Sequence, residues 1–269
     1  MIMTVENINR TQYWTLDHPS EGNSLGLKMH ASILEALIPL ESESQKWLQS
    51  QGRNDLNTRA LVIQARATSD QTCPVWVAGG NLRELSKLRS KASGRDYIEK
   101  MRDLCRRLSL LPIPVIFSIH GKVIGGGAEF TLFGDFRLAT VTSRFYFKQL
   151  FVGLSCSYGS TERLRALVGQ GRAWSLLGVQ QALNADQALN WGLLHSVHAD
   201  KNQLQDGVRA LLTQLESIDP MVYATQKIMF NAKMKLTEDE DSVELDLIES
   251  LWMQPPHKKY LERFLNSKP

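Results

Sequence analysis

Between Ile116 and Arg137 the chain reads Ile-Phe-Ser-Ile-His-Gly-Lys-Val-Ile-Gly-Gly-Gly-Ala-Glu-Phe-Thr-Leu-Phe-Gly-Asp-Phe-Arg. These residue types, in this order, suit chemistry on a carbonyl. A β-branched and aromatic run ends at Gly121. A short loop then reaches Gly125, Gly126 and Gly127, and a helix-competent run follows with the carboxylate Glu129 in its first turn. Glycines at a helix start let a substrate approach the backbone closely. The N–H groups there lack intrahelical acceptors and favour an anion or a developing oxyanion. A carboxylate beside such donors can exchange a proton next to the carbonyl they polarise.

A second strand-like run, 75–82, ends in the pair Gly79-Gly80. Either glycine cluster alone would mark an ordinary turn. Together they offer two peptide N–H groups from separate strand ends that could converge on one carbonyl oxygen and hold an enolate or tetrahedral adduct. Losing one such donor costs about 2.7–4 kcal/mol in the barrier. Other glycine motifs fail on spacing. Gly121-Lys122 lacks the glycines of a phosphate-binding loop, and Phe130 stands where a dinucleotide fingerprint needs its last glycine. In Gly153-Leu154-Ser155-Cys156-Ser157 the final residue is Ser157, not the glycine of a nucleophile elbow. No His-Glu-x-x-His metal motif occurs.

The elements that must position these groups alternate in type. Strands are expected at 13–16, 59–64, 75–82, 115–119 and 136–140, with another near Phe145. A polar turn is expected at 69–72. A helix over 27–40 presents Ile33, Leu34, Leu37 and Ile38 on one face and ends or kinks at Pro39; 41–57 reads as polar and partly loop. A charged helical stretch over 83–111 is interrupted near Ser93-Gly94, and Pro112 and Pro114 frame the next strand. Helices are expected from Ser160 to Leu167, over 172–177, and over 185–191 with Asn184 as N-cap. From Gln203 the pattern is helical, broken at Pro220 and Pro255-Pro256. The chain therefore divides near residue 200, an α/β part built of βαβ units followed by helices.

The 269 residues suffice for one large core with a helical appendage. Hydrophobic content of 43%, charged content of 22% and a net charge of +3 are those of a globular protein and give no argument for nucleic acid. No run of about 18 apolar residues suggests a membrane span, and the first residues do not read as a signal peptide. Cys73, Cys105 and Cys156 are odd in number and widely spaced, so neither a zinc site nor a disulfide framework is signalled. A reducing cytoplasm is the expected compartment.

Taken together, these residues resemble the enoyl-CoA hydratase/isomerase, or crotonase, superfamily over most of the chain. The resemblance runs through His18-Pro19, Asn23-Ser24-Leu25, Ala78-Gly79-Gly80-Asn81-Leu82, Pro114-Val115-Ile116, Ile119-His120-Gly121 and Gly125-Gly126-Gly127-Ala128-Glu129. It continues through Phe136-Arg137-Leu138-Ala139, Arg163-Leu164, Val168-Gly169 and Gly192-Leu193. It implies an α/β fold of turned, repeated ββα units over 1–200, with a C-terminal helical oligomerisation region over 201–269. It implies an acyl-CoA substrate, or a related thioester, whose enolate is held by the N–H groups of Gly80 and Gly126, with Glu129 as acid/base. Ala78, Gly79, Asn81, Leu82, Gly125 and Gln149 are the implied substrate contacts. No cofactor is implied, CoA being carried by the substrate; no metal is expected, and the implied assembly is a trimer or hexamer.

Hydratases of the superfamily carry a second glutamate twenty residues after the first, where this chain has Gln149. An amide cannot take up or release a proton near neutral pH. Asn81 stands for the usual Asp, and the later turn reads Ser155-Cys156-Ser157-Tyr158-Gly159. A subgroup resembling ethylmalonyl-CoA decarboxylase is similar in Gly-Gly-Gly-Ala-Glu-Phe-Thr, in Asp-Phe-Arg-Leu and in Ser-Tyr-Gly, and also lacks the second glutamate. The resemblance thus favours decarboxylation of a malonyl-type CoA ester with protonation by Glu129. The alternatives are an enoyl-CoA hydratase or isomerase using Glu129 alone, and a non-catalytic CoA-ester binder.

Plainer roles are expected elsewhere. Without the resemblance, Glu129 could equally be a favourable first-turn carboxylate, and Gln149 is either a substrate contact or a relic. His120, His195 and His198 read as structural or surface residues. Tyr97 and Tyr158 could line an acyl pocket, though buried aromatics more often serve the core. Lys227, Lys258 and Lys259 could reach CoA phosphates, exposed helix lysines being the default. Nothing beside Cys156 suggests an activated thiolate.

Overall fold

The computed structural model describes residues 2–53, 55–66, 73–232 and 238–266. The chain opens with an antiparallel hairpin, β1 (Met3–Ile8) and β2 (Thr11–Leu16), turned by Asn9 and Arg10 at φ 48° and 61°. Two successive left-handed residues match the twist of the strands they join. The sequence pattern found β2 alone, because β1 is mostly exposed and its turn carries no glycine.

The following elements alternate as expected. They are α1 (Leu27–Gln49), β3 (Ala60–Ala65), β4 (Val75–Val77), α2 (Leu82–Leu85), α3 (Lys91–Leu110), β5 (Val115–Ile119), β6 (Lys122–Ile124), α4 (Gly126–Thr131), β7 (Phe136–Thr140) and β8 (Arg144–Tyr146). Then come α5 (Thr161–Val168), α6 (Gln170–Leu177), β9 (Leu183–Asn184), α7 (Ala185–Asn190), β10 (Ser196–His198), α8 (Lys201–Glu216), α9 (Pro220–Ala232), α10 (Glu238–Leu251) and α11 (Pro255–Asn266). The polar turn expected at 69–72 lies outside the described residues.

Successive strands divide between two sheets. The larger runs β1-β2-β3-β5-β7-β10 and the smaller β4-β6-β8-β9. Each of the pairs β3/β4, β5/β6 and β7/β8 gives one strand to each sheet, and a helix follows each pair. From β2 to β10 the large sheet is parallel. Its strands are apolar on both faces because both are covered. Leu61, Ile63, Val115, Phe117 and Ile119 face the main core, while Val62, Ile116 and Leu138 meet Leu204 and Val208 of α8. The α/β fold of repeated ββα units is therefore present, and α8 seals the sheet's outer face.

Three boundaries differ from the sequence expectation. Helix α1 does not end at Pro39 but runs ten residues further, to Gln49. Met29, Ile33, Leu37, Leu40, Ser44 and Trp47 form one continuous buried stripe across the proline. Packing thus outweighs the missing N–H, and Glu41 adds a paired contact to Arg107 at 2.5 and 2.9 Å. Strand β4 stops at Val77, because the backbone turns to carry residues 78–82. The helical break falls between α2 and α3, not at Ser93-Gly94. Ser90 and Ser93 cap α3 reciprocally, and Gly94 lies inside it because the Trp252 ring occupies the space a Cβ would need, 2.3 Å away.

The motif around Asn23 proves structural. Its fully buried side chain accepts from His18 N at 2.7 Å and donates to Arg66 O and Trp76 O, both at 3.1 Å. Its φ of 52° is one that Asn tolerates better than most residues. One amide thereby ties the turn after β2 to the ends of β3 and β4. Asn23→Ala removes one buried and two part-buried hydrogen bonds to the backbone; a buried group left unpaired costs about 1–3 kcal/mol, so a loss in that range is expected in the denaturant unfolding free energy. A change below about 1 kcal/mol would show that the turn stands without it.

Candidate active site

Strands β4, β6 and β8 lie side by side and parallel in the small sheet. Their C-terminal ends release three segments to one edge: 78–82, 125–129 and 148–149. This parallel register is why the two glycine clusters, far apart in sequence, converge. A cleft of about 130 Å³ opens there, lined by Ala78, Gly80, Leu82, Gly125, Gly126, Glu129 and Gln149 among others. Gly79 and Asn81 stand outside the lining. Cys156 does too, although it is buried beside it.

The 78–82 loop is held from several sides. Ala78 N donates to Gly22 O at 2.9 Å, and Leu25 N donates to Gly79 O at 2.6 Å. Asn81 caps α2, accepting from Arg83 N and Glu84 N at 3.1 and 3.2 Å, and its amide donates to Glu21 at 2.5 Å. Glu84 in turn accepts from Leu27 N at 2.6 Å at the start of α1. The polar atoms of Asn81 are thus spent on the loop's own geometry. Gly79 is required here: its φ is 82°, and a Cβ would fall 2.6 Å from Ile124 O and 3.0 Å from Gly126 N. Among the described residues neither Gly80 N nor Gly126 N has a backbone acceptor.

Glu129 is 1% exposed. Its Oε2 accepts from Ser157 N at 2.8 Å, Tyr158 N at 2.9 Å and the Ser160 hydroxyl at 2.7 Å. Among the described residues its Oε1 accepts from Gln149 Nε2 alone, at 2.9 Å. Burial pushes the Glu129 pKa above the usual carboxylate range, and the four donors restrain that rise. Oε1, with one partner on the Gln149 side, is the oxygen free to exchange a proton with the cleft. Gln149 is 5% exposed, and its Oε1 is a buried acceptor with no donor among the described residues. Water or a substrate group can supply one. When Glu129 is protonated on Oε1, rotation of the Gln149 amide lets its carbonyl oxygen accept a hydrogen bond from that O–H and turns its NH2 to the cleft.

The groups that hold Glu129, and part of the cleft wall, were not evident as such from the sequence. The donors Ser157, Tyr158 and Ser160 follow from a turn that carries no charge. Trp252, His257 and Tyr260 line the cleft from the C-terminal helices, and only the folded chain brings them there. His257 accepts from Met253 N at 3.1 Å and burial pushes it down to about 4, so it is neutral. Tyr97 and Tyr158 line the cleft and also belong to the core.

The remaining histidines and lysines fall largely as expected. His120 contacts Thr140 at 3.0 Å, His198 contacts Ser196 at 2.8 Å, and His195, pushed down to about 4 by burial, accepts from Arg137 N at 3.1 Å. Lys258 and Lys259 are exposed. Lys227 differs from expectation. It is buried and pairs with Asp135 at 2.6 Å and Ile113 O at 2.8 Å, so it is committed to the fold. Among the described residues no group of three or more His, Cys, Asp or Glu is placed to hold a metal, and no helix is long and apolar enough to cross a membrane.

Comparison with known proteins adds an independent line. The sequence profile of the enoyl-CoA hydratase/isomerase family matches residues 9–268. A short-chain-enoyl-CoA hydratase of Clostridium acetobutylicum is 28% identical over 208 residues, covering 76% of this chain and 77% of that protein. An ethylmalonyl-CoA decarboxylase of Mus musculus is 28% identical over 244 residues, covering 90% of this chain and 70% of that protein. A methylmalonyl-CoA decarboxylase solved in complex with 2-nitronate-propionyl-CoA superposes with a TM-score of 0.80 at 19% identity, covering 100% of this chain and 96% of that one. At that identity the likeness speaks for the fold alone.

The raised Glu129 pKa has a definite thermodynamic sign. The folded chain holds a proton over a window where the unfolded chain has lost it, so stability falls as pH rises from the usual carboxylate range through the folded value. Glu129→Gln keeps an acceptor for the Ser157 and Tyr158 amides and lets Gln149 turn to pair with it. Thermal melts of both proteins from mildly acid to neutral pH should therefore show Glu129→Gln gaining on the wild type as pH rises. A constant difference across that range would mean that Glu129 does not titrate in the window.

Proposed function

Because the chain belongs to the enoyl-CoA hydratase/isomerase family, we propose that it works on an acyl-CoA thioester, binding the carbonyl oxygen on the N–H groups of Gly80 and Gly126 and using Glu129 as its single acid/base. The observation that carries this reading is one buried carboxylate, paired with the amide of Gln149, in a cleft that both glycines line. Residues 78–82, including Gly79 and Asn81, are assigned to the CoA portion through their backbone, and Gly125 to the approach of the thioester. CoA itself is the only cofactor the reading needs, because the thioester takes up the electron pair that the reaction releases.

The favoured reaction is decarboxylation of a malonyl-type ester. The bond from the α-carbon to the carboxylate breaks, its electron pair enters the thioester as an enolate, and CO2 leaves. Protonated Glu129 then gives its proton to the α-carbon. Burial supports the acid form it needs. A second carboxylate at 149 would repel the substrate's own, and the amide removes that repulsion. Lys148 also lines the cleft; it donates to Gln180 at 3.2 Å and pairs with no carboxylate among the described residues. It thus gives the cleft a cation suited to an anionic acyl group. The relatives named ethylmalonyl-CoA decarboxylase support the same reading.

A second reading, hydration or isomerisation of an enoyl ester, is favoured by the unpartnered Gln149 Oε1, which can accept from a water and orient it. For assembly we assign a trimer or hexamer to the region 201–269. Its exposed Val222, Ile228, Met229 and Phe230 on α9 are the apolar face that such contacts would bury.

The deciding experiment is mass spectrometry of a mixed pool of malonyl-type and enoyl CoA esters incubated with the protein. Selective loss of CO2 from a malonyl-type ester, abolished by Glu129→Gln, is expected. Gain of one water by an enoyl ester would replace decarboxylation with the second reading.

A further inference from the structure

Two phenols stand against the glycines that carry the proposed donors. A Cβ on Gly126 would lie 2.7 Å from the Tyr158 hydroxyl oxygen and 2.8 Å from its ring, and a Cβ on Gly80 would lie 3.2 Å from the Tyr97 hydroxyl and 3.7 Å from that of Tyr158. The Tyr158 ring therefore occupies the space directly beside both. Its own backbone N–H holds Glu129 at 2.9 Å. Tyr158 thus links both glycines to Glu129, where the acyl group of a bound thioester would meet the proposed acid/base.

The phenol is also pinned. Tyr97 donates to Leu25 O at 2.8 Å, which commits its single proton. Tyr158 is consequently the donor in the 2.9 Å contact between the two hydroxyls. Both residues are 3% exposed, and burial keeps both hydroxyls protonated. Displacing Tyr158 breaks a buried hydrogen-bond chain and disturbs an amide that holds the acid/base. The space beside it is limited, since the whole cleft measures about 130 Å³.

We propose that Tyr158, anchored through Tyr97 to Leu25, closes the acyl end of the cleft and restricts it to short acyl groups. This rests on reading the cleft as an acyl-CoA site, but not on which reaction occurs there. A chain that outgrows the space must push the phenol out, at a cost of roughly tenfold or more in affinity.

The test is calorimetric binding of acetyl-, butyryl-, hexanoyl- and octanoyl-CoA, saturated esters with no carboxylate to lose. Wild-type affinity should drop at least tenfold between butyryl and octanoyl. Tyr158→Ala should abolish that drop, while Tyr158→Phe, which keeps the ring, should retain it. Equal wild-type affinity for butyryl and octanoyl esters overturns the inference whether or not the alanine variant folds. So does an unchanged drop in folded Tyr158→Ala. Either result leaves the acyl-CoA reading standing, whereas failure of every ester to bind removes both.

Discussion

The structure turns on one buried carboxylate. Placing Glu129 at 1% exposure would be prohibitive without compensation, and four donors from one short stretch of chain provide it. Three of them converge on Oε2 and fix the side chain, while Oε1 has Gln149 as its one partner among the described residues. A hydrogen bond to a charged group is worth about 1.5–3 kcal/mol, so the loop 157–160 and helix α4 hold each other in place. The same balance sets the chemistry. Burial favours the protonated acid, and the donors keep the anion accessible.

Everything else positions that carboxylate against two peptide N–H groups. Dividing successive strands between two sheets brings β4, β6 and β8 into parallel register, and their ends deliver one segment each to the cleft. The Asn23 pin, the Asn81 cap and the Glu84 contact to α1 keep the first segment rigid. Covering by α8, which lets the large sheet be apolar on both faces, anchors the platform behind it. The C-terminal helices return to wall the cleft with Trp252, His257 and Tyr260, so the region after residue 200 serves the site as well as any assembly.

Much of this was legible in the sequence because it depends on local chemistry. Glycine pairs at strand ends, a carboxylate in the first turn of a helix and an amide twenty residues on are all visible in one dimension. What was hidden depends on tertiary contact. Pro39 reads as a helix end, yet the buried stripe through Leu40, Ser44 and Trp47 carries α1 past it. Ser157, Tyr158 and Ser160 carry no charge and give no sign that they hold Glu129. Lys227 resembles any helix lysine until Asp135 is found beside it. Strand β1 escapes because half of a hairpin's stability lies in its partner, and its Asn-Arg turn lacks the usual glycine.

The central claim is that Glu129 transfers a proton at the α-carbon of a thioester whose oxygen is held by two backbone amides. Deuterium exchange measures that step apart from any overall reaction. Butyryl-CoA incubated with the protein in D2O and followed by mass spectrometry should gain deuterium at its α-carbon, and Glu129→Gln should abolish the gain while still binding the ester. Binding of butyryl-CoA with no exchange in the wild type, or exchange undiminished by Glu129→Gln, would contradict the account.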